Sequence, residues 1–362
     1  MTTNNTELMS GRQRVFCTLD HKEPDMVPIT ESVYSRPFFK EVLGSVPKNY
    51  DAEALTLCAQ KVGYDMIVVP FGGLSGFTPE SGGAEYQDEW GTTFRKQEST
   101  WPVDAPVGFP IKDEQDLKNY VFPDPNLESR LNGLKTALSM NRGYDKFIAG
   151  AVRGPFSGSW MLTGFENLLI NMYEDPAFVR EVLKNITDFA ITGGLRMIEA
   201  GVHAVQFSDD YGSNHAPFMS EELFNEFIKP EMKRIIDAFH GKGIKVIMHS
   251  DGNLNKLLPH IMENRIDAYH PVERSAQMDI KDVKARYGKT ITLIGNINNK
   301  STLVKGSPAD VEEEVRECIG IAAPGGGFIL ASDHSIHDDI PNENVFALYD
   351  AGRRYGKYPI LI

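Results

Sequence analysis

The sequence has 362 residues, of which 41% are hydrophobic and 24% are charged, and 37 Lys and Arg against 50 Asp and Glu leave a net charge of −13. This length excludes a peptide-sized or disulfide-stapled scaffold, and so acidic a chain is a poor match for nucleic acids or anionic membranes. With only three cysteines, in no metal or redox spacing, and with no long apolar run, we expect a cytoplasmic, enzyme-sized protein that spans no membrane.

Along the chain, apolar strands alternate with amphipathic helices after a short helical pattern that starts at Gly11 and ends near Pro24. Two longer segments, 168–201 and 220–243, have apolar residues at helical spacing, a Ser or Asp at the start and a Gly at the end. The strands are predicted from runs rich in Val and Ile at 66–71, 146–154, 203–210, 244–252, 267–272, 291–297 and 327–334.

The strands are apolar on both faces and separated by helices, which requires a parallel sheet covered by helices. Seven or eight such units in one chain predict an α/β fold of the (β/α)8 TIM-barrel type, with residues 1–362 forming a single domain. No glycine-rich nucleotide-binding motif argues for a doubly wound sheet instead. The segment 72–145 is rich in Gly and Pro and departs from this rhythm. We predict that it forms an excursion over the barrel mouth.

Polar, chemically capable residues stand at the ends of most predicted strands. In barrels of this type, the carboxyl ends of the strands and the loops after them build the active site. An Asp at such a place can instead cap a helix or turn a loop. The polar residues at these ends include Arg153, Asp209, Asp210, His249, Asp251, His270, Glu273, Asn296, Asp333 and His334.

His249 and Asp251 are separated by one residue, so on a strand their side chains project from the same face. An imidazole and a carboxylate directed into one barrel mouth need a third donor from another strand end to form an open zinc site, and His334 is the candidate. The alternative is a metal-free His–Asp pair that performs general acid–base chemistry.

Asp209 and Asp210 are adjacent, so only one of them can point inward from a strand. We assign Asp210 to the catalytic group with His249, Asp251 and His334, although capping of a helical turn by Asp210 is an equal alternative. The residues assigned to substrate binding are Arg153, Asp209, Tyr211, Glu273 and Asn296.

Several motifs, in the same order along nearly the whole chain, resemble the uroporphyrinogen decarboxylase superfamily: RQRVFCTLDHKEPDMVPI, EAGVHAVQFSDD, HSDGN, GNIN and DIPNENV. Members of this superfamily are (β/α)8 barrels. They include the haem-pathway decarboxylase and corrinoid-dependent methyltransferases.

The decarboxylase branch carries a segment close to RQAGRYLPEY, whose arginines hold the carboxylates of the tetrapyrrole. The corresponding stretch here is ESVYSRPFFKEV, with Arg36 alone. One arginine in a strongly acidic chain suits an octa-anionic substrate poorly. Uroporphyrinogen decarboxylation is therefore kept as the alternative function.

In the methyltransferases that act on coenzyme M, zinc is held by a His-x-Cys pair and a later Cys. Alignment on the P-x-E-N ending places His249, Asp251 and His334 at those three positions. Both thiolates are then replaced, by a carboxylate and an imidazole, which leaves zinc more Lewis acidic and suited to an oxygen or nitrogen leaving group.

The segments YGSNHAPFMSEELFNEFIKPEMKRIID and SDHSIHDDIPNEN resemble the substrate-specific methyltransferases of O-demethylase systems. This resemblance implies that the barrel binds a methylated compound, foremost an aryl methyl ether, and passes its methyl group to the Co(I) of a separate corrinoid protein. The resemblance also favours a homodimer. Trp160, Phe218 and the Tyr and Phe residues of 72–110 would form the pocket or, alternatively, pack in the core. A non-catalytic binding protein is the second alternative.

Overall fold

A computed structural model of the chain describes residues 8–47, 51–72, 83–97, 99 and 101–362. The strands are β1 (Val33–Tyr34), β2 (Met66–Pro70), β3 (Glu85–Gln87), β4 (Thr93–Arg95), β5 (Ala105–Gly108), β6 (Phe147–Arg153), β7 (Ala204–Ser208), β8 (Lys245–His249), β9 (Ala268–Val272), β10 (Thr292–Ile297), β11 (Phe328–Ser332) and β12 (Ile336–His337). The helices are α1 (Gly11–Leu19), α2 (Arg36–Leu43), α3 (Ala52–Val62), α4 (Glu114–Asn119), α5 (Asn132–Met140), α6 (Pro155–Thr163), α7 (Phe165–Glu174), α8 (Pro176–Ala200), α9 (Glu221–Leu223), α10 (Lys229–His240), α11 (Leu258–Met262), α12 (Ile280–Tyr287), α13 (Thr302–Lys305), α14 (Pro308–Ala322) and α15 (Asn342–Tyr355).

Seven parallel strands form one sheet in the order β2, β6, β7, β8, β9, β10, β11. Residues 27–30 close it, because Ile29 bridges Leu330 of β11 in parallel and Thr30 bridges Met66 of β2. The Thr30 amide donates to the Leu330 carbonyl over 3.0 Å, and the Asp65 amide donates to the Ile29 carbonyl over 2.8 Å. The predicted (β/α)8 barrel is confirmed, and its eighth position is this extended segment near the start of the chain.

The barrel interior changes from apolar to polar along each strand. At the amino-terminal end, Phe147 and Ala149 of β6 and Ile247 of β8 pack together in a buried cluster. Helix α1 covers this end and contributes Val15 and Leu19 to the same cluster. Side chains two residues further along each strand point the same way, so the inward positions at the carboxyl ends are left for the site.

Both long predicted helices are interrupted, in each case at a proline. Segment 168–201 divides into α7 and α8, because Pro176 starts α8 and Asp175 caps it by accepting the Phe178 amide. Segment 220–243 contains a π-helical turn at residues 224–228 before α10. Pro230 has no amide hydrogen and crowds the carbonyl four residues earlier, which explains the irregular turn. Within the described residues, no helix combines the length and apolar character needed to cross a membrane.

Strands β3, β4 and β5 form a separate antiparallel sheet, called the cover sheet below. Phe94 of β4 and Pro106 of β5 line the same cavity as Arg153 and His249 at the carboxyl ends of β6 and β8. The cover sheet therefore lies over the barrel mouth, as predicted for the excursion. The predicted boundary at residue 145 is wrong, since α5 packs on α3 and β2 in the outer helical layer. Residues 73–82 of the excursion lie outside the described residues.

Candidate active site

A cavity of about 460 Å³ lies between the barrel mouth and the cover sheet. Apolar and aromatic side chains form most of its wall, which is the usual lining of a site for a small organic ligand. At the barrel end, the wall becomes polar where Gln206, Ser208, Asp210 and His249 enter it from β7, β8 and the turn after β7. The aromatic rings of the wall belong to Tyr34, Phe71, Trp90, Phe94, Trp160 and Phe189.

Three donor groups meet at the polar end of the cavity. Nε2 of His249 lies 3.6 Å from Oδ1 of Asp210 and 3.7 Å from Oδ2 of Asp251. The Asp251 amide also donates to Oδ1 of Asp210 over 3.1 Å. The predicted convergence of His249 and Asp251 is present, and of the adjacent acids Asp210 is the one that faces them.

These three residues fit a small divalent cation. One ligand atom from each of Asp210, His249 and Asp251 lies within 4.8 Å of the other two. Tetrahedral zinc with bonds of about 2.0–2.1 Å holds its donor atoms roughly 3.3–3.4 Å apart. The distances of 3.6 and 3.7 Å from His249 Nε2 to the two acids are close to that spacing. The second oxygen of Asp251, Oδ1, is buried without a hydrogen-bond partner in the described structure, and a bound cation would satisfy it.

His334 reaches this cluster through Asp251, since its Nε2 lies 3.1 Å from Oδ2 of that residue. His334 was predicted as the third metal donor, but the three-residue cluster contains Asp210 in that position. Burial alone would lower the pKa of His334, but the carboxylates of Asp251, Glu273 and Asp210 raise it to about 9. A protonated His334 beside Asp251 would be an acid rather than a ligand.

The two acids of the cluster are shifted in opposite directions. Burial and the neighbouring Asp251 carboxylate raise the pKa of Asp210. Burial opposes ionisation of Asp251 as well, but His249 and His334 outweigh it and hold the pKa of Asp251 below its ordinary value. Asp251 is thus the fixed negative charge of the site, and Asp210 is the acid whose protonation its surroundings favour.

Asp209 does not face the cavity, which corrects its assignment to substrate binding. Its two carboxylate oxygens accept the backbone amides of Phe156 over 3.0 Å and Ser157 over 2.5 Å, in the first turn of α6. Only a residue without a side chain fits beside it, because a Cβ on Gly154 would lie 2.3 Å from the Cβ of Asp209. Asp209 caps α6 and places Ser157, whose Oγ accepts the Asp210 amide over 3.0 Å.

Tyr211 and Asn296 are also structural rather than substrate-facing. Both are fully buried. The Tyr211 ring packs at 5.3 Å from that of Phe224, and the Asn296 amide group donates to the Val272 carbonyl over 2.6 Å.

Glu273 is buried too, and its Oε2 accepts the Gly252 amide over 2.6 Å. It therefore holds the turn after β8, which carries Asp251, instead of reaching the cavity wall.

Two arginines line the cavity. Arg153 lies at the end of β6 as predicted for a substrate-facing residue, and burial lowers its pKa. Arg130 forms a bidentate ion pair with Glu89 next to the cover sheet, in which Nη1 donates to Oε1 over 2.6 Å and Nη2 to Oε2 over 2.7 Å. Arg36, predicted as the lone counterpart of the tetrapyrrole-binding arginines, is instead paired with Asp338 at 2.6 Å.

Of the predicted aromatic residues, Phe94 and Trp160 line the cavity, whereas Phe218 packs against Phe165 with ring centres 4.9 Å apart. The site assignment from sequence omitted His270, although Ala268 and His270 of β9 share a face by strand alternation and Ala268 is inside the barrel. It also omitted Ser157, whose role depends on α6 meeting β7 and has no local sequence signal.

Comparison with known proteins agrees with this architecture. The model of the family described as Uroporphyrinogen decarboxylase (URO-D) matches residues 89–355, about three-quarters of the chain. The chain belongs to the uroporphyrinogen decarboxylase family.

Curated relatives in this family are moderately similar. The uroporphyrinogen decarboxylase of Actinobacillus pleuropneumoniae serotype 5b is 26% identical over 265 residues, covering 68% of this chain and 70% of that protein. The uroporphyrinogen decarboxylase of Hydrogenovibrio crunogenus is 29% identical over 282 residues, covering 73% and 74%.

Among solved structures, a methyltransferase from Methanosarcina mazei superimposes with a TM-score of 0.75 at 20% identity, covering 96% of this chain and 99% of that one. A B12-independent methionine synthase from Shewanella sp. has a TM-score of 0.54 at 12% identity, covering 91% and 96%. These likenesses concern the barrel fold.

Proposed function

We propose that this member of the family is a methyltransferase that moves a methyl group from a small methylated compound to the Co(I) of a corrinoid protein. The favoured methyl donor is an aryl methyl ether. The observation that carries the proposal is an aromatic cavity that ends in the cluster of Asp210, His249 and Asp251. A neutral ring fills the aromatic part by offset or edge contacts. Its ether oxygen then meets the polar end.

The reaction transfers a methyl cation equivalent. Co(I) supplies both electrons of the new Co–C bond and becomes Co(III), while the C–O bond breaks and its electron pair leaves with the phenolate. An unassisted phenolate is a poor leaving group. His334, beside Asp251, supplies a proton to that oxygen, and in a metal-free site Asp210 in its protonated state can do so instead.

Asp210, His249 and Asp251 would hold zinc, which when bound supplies a Lewis acid that stabilises the departing oxygen. The donor set contains no thiolate, since the three cysteines are Cys17, Cys58 and Cys318. This supports an oxygen leaving group over activation of a thiol, for which an electron-rich thiolate site is better suited.

The names of the curated relatives favour a second candidate, uroporphyrinogen decarboxylation. The charges at the cavity argue against it. The acids Glu89, Asp104 and Asp210 face the arginines Arg130 and Arg153 in the described lining, and residues 73–82 contain no Lys or Arg. A substrate with eight carboxylates would find no excess of positive charge there.

The deciding experiment is a screen of methylated donors with a Co(I) corrinoid acceptor, followed by the absorbance change on cobalt methylation. We expect turnover with at least one methoxylated aromatic compound and none of uroporphyrinogen. Conversion of uroporphyrinogen, with no cobalt methylation by any donor, would overturn the proposal.

The site is tested with His249→Ala, which should abolish methyl transfer while the far-ultraviolet circular dichroism is unchanged. His260→Ala is the matched control, because His260 lies on α11 and pairs with Glu221 at 2.8 Å. Undiminished transfer by His249→Ala would refute the assignment of the cluster.

A further inference from the structure

We propose that His270 is a positioning residue: it accepts the hydrogen of His249 Nδ1 and thereby directs the unprotonated Nε2 of His249 at the Asp210–Asp251 cluster. The inference rests on the proposed function in so far as that function uses this cluster to hold a metal. It adds a residue on a neighbouring strand that contacts His249 but does not itself line the cavity.

The position of His270 follows from strand pairing. β8 and β9 are parallel neighbours, and His249 is in register with His270. Paired residues of adjacent strands point to the same side of a sheet. Their imidazoles accordingly meet edge to edge, with ring centres 4.9 Å apart and planes inclined by 27°.

The contact between the rings is a hydrogen bond between like atoms. Nδ1 of His249 and Nδ1 of His270 are 2.7 Å apart. At that distance the two nitrogens share one hydrogen, so one ring donates and the other accepts. Among the described residues, His249 Nδ1 has no other hydrogen-bond partner, so His270 alone determines what this nitrogen does.

The surroundings of His249 Nε2 determine which of the two rings donates the shared hydrogen. Nε2 of His249 faces the carboxylates of Asp210 and Asp251 at 3.6 and 3.7 Å. To bind a metal ion between them, Nε2 must present a lone pair, and the neutral ring then carries its hydrogen on Nδ1. His270 must therefore be the acceptor, the role that a carboxylate or carbonyl fills for most metal-binding histidines.

His270 is suited to hold this arrangement rigidly. His270 is only 7% exposed. It follows Ala268 by two residues on the same face of β9, and Ala268 packs inside the barrel. Few rotamers are open to a ring confined in this way. The hydrogen bond to this confined ring thus fixes the orientation of the His249 ring and the direction of its Nε2.

Zinc affinity and the tautomer of His249 test this inference separately from methyl transfer. His270→Phe keeps an aromatic ring at this buried position but removes the acceptor. In His270→Asn, the Oδ1 atom lies near the position of Nδ1 and can accept. His260→Phe, on α11, is the matched control. Zinc binding is measured by competition with a chromogenic chelator, and the protonated nitrogen of His249 by ¹⁵N NMR of histidine-labelled protein.

We expect His270→Phe to bind zinc 10- to 100-fold more weakly, in line with the loss of other such partners. His270→Asn and His260→Phe should stay close to wild type, and zinc-loaded wild type should show His249 protonated at Nδ1. Equal zinc affinity in His270→Phe, protonation at Nε2, or a wild type that binds no zinc would overturn the inference.

Together with the methyl-transfer screen, these data separate the positioning role of His270 from the proposed function. If zinc binding depends on the acceptor at position 270 but no donor methylates Co(I), the positioning role stands and the methyltransferase proposal fails. If methyl transfer occurs and His270→Phe binds zinc as the wild type does, the positioning role fails and the methyltransferase proposal stands.

Discussion

Replacement of Arg130 by Met should weaken the closure of the cavity as well as the stability of the fold. The Arg130 side chain is 1% exposed, and its guanidinium pairs with Glu89 in the turn between β3 and β4. Its Nε also donates to the carbonyl of Asp124 over 2.7 Å. The same guanidinium lies 5.1 Å from the centre of the Phe189 ring in the cavity wall.

The expected cost follows from the burial of this pair. Removing one partner of a buried ion pair leaves the other charge without compensation, which costs about 3–5 kcal/mol of the free energy of unfolding. Glu89 is 16% exposed, so water reduces part of this cost, and about 3 kcal/mol is the expected value for Arg130→Met. The double variant Arg130→Met, Glu89→Gln removes both charges and should lose less than the sum of the single variants.

Urea unfolding measured by two probes tests this. Two of the three tryptophans, Trp90 and Trp101, lie in the segments that join the strands of the cover sheet. Fluorescence therefore reports mainly on the cover sheet, while circular dichroism reports on the barrel. In Arg130→Met the fluorescence transition should precede the dichroism transition. Arg95→Met is the matched control, because the Arg95–Glu85 pair lies in the same sheet but is about half exposed and contributes at most about 1 kcal/mol.

A loss below about 1 kcal/mol in Arg130→Met, equal to that of Arg95→Met, would refute the reasoning. So would strict additivity of the two single variants, because it would mean that the guanidinium and the carboxylate do not interact.

Two further predictions concern the same region. Burial raises the pKa of Asp88 to about 6 from 3.8, so ionisation of its carboxyl group opposes folding. The free energy of unfolding of the wild type relative to Asp88→Asn should therefore fall by about 2 kcal/mol between pH 4 and pH 7. Urea midpoints of the two proteins that change equally with pH would contradict this. Gly154→Ala places a Cβ 2.3 Å from that of Asp209, which should displace Ser157 and lower the free energy of unfolding by about 1–3 kcal/mol. Gly320→Ala on α14 is the control, because open space surrounds that position, and it should leave the thermal melting temperature unchanged.

The alternation of strands and helices in the sequence was sufficient to predict the barrel. Inward-facing residues repeat every second position on a strand, so the meeting of His249 and Asp251 was also predictable from their spacing. The clustering of polar residues at the strand ends located the site, since those ends share one rim of the barrel.

Tertiary structure decided which of two adjacent acids serves the site. Asp209 and Asp210 are indistinguishable locally, but α6 lies close enough for its first amides to bind Asp209. That leaves Asp210 to face His249. The choice depends on the packing of α6 against β7, which no local pattern records.

The cover sheet and the partner of His249 are further results of long-range contacts. Arg130 and Glu89 meet although 41 positions separate them, and the contact of His249 with His270 spans 21. Sequence periodicity determines which face of a strand a side chain occupies. Which side chain of another element stands opposite depends on strand register and helix placement, and these are set by packing of the whole barrel.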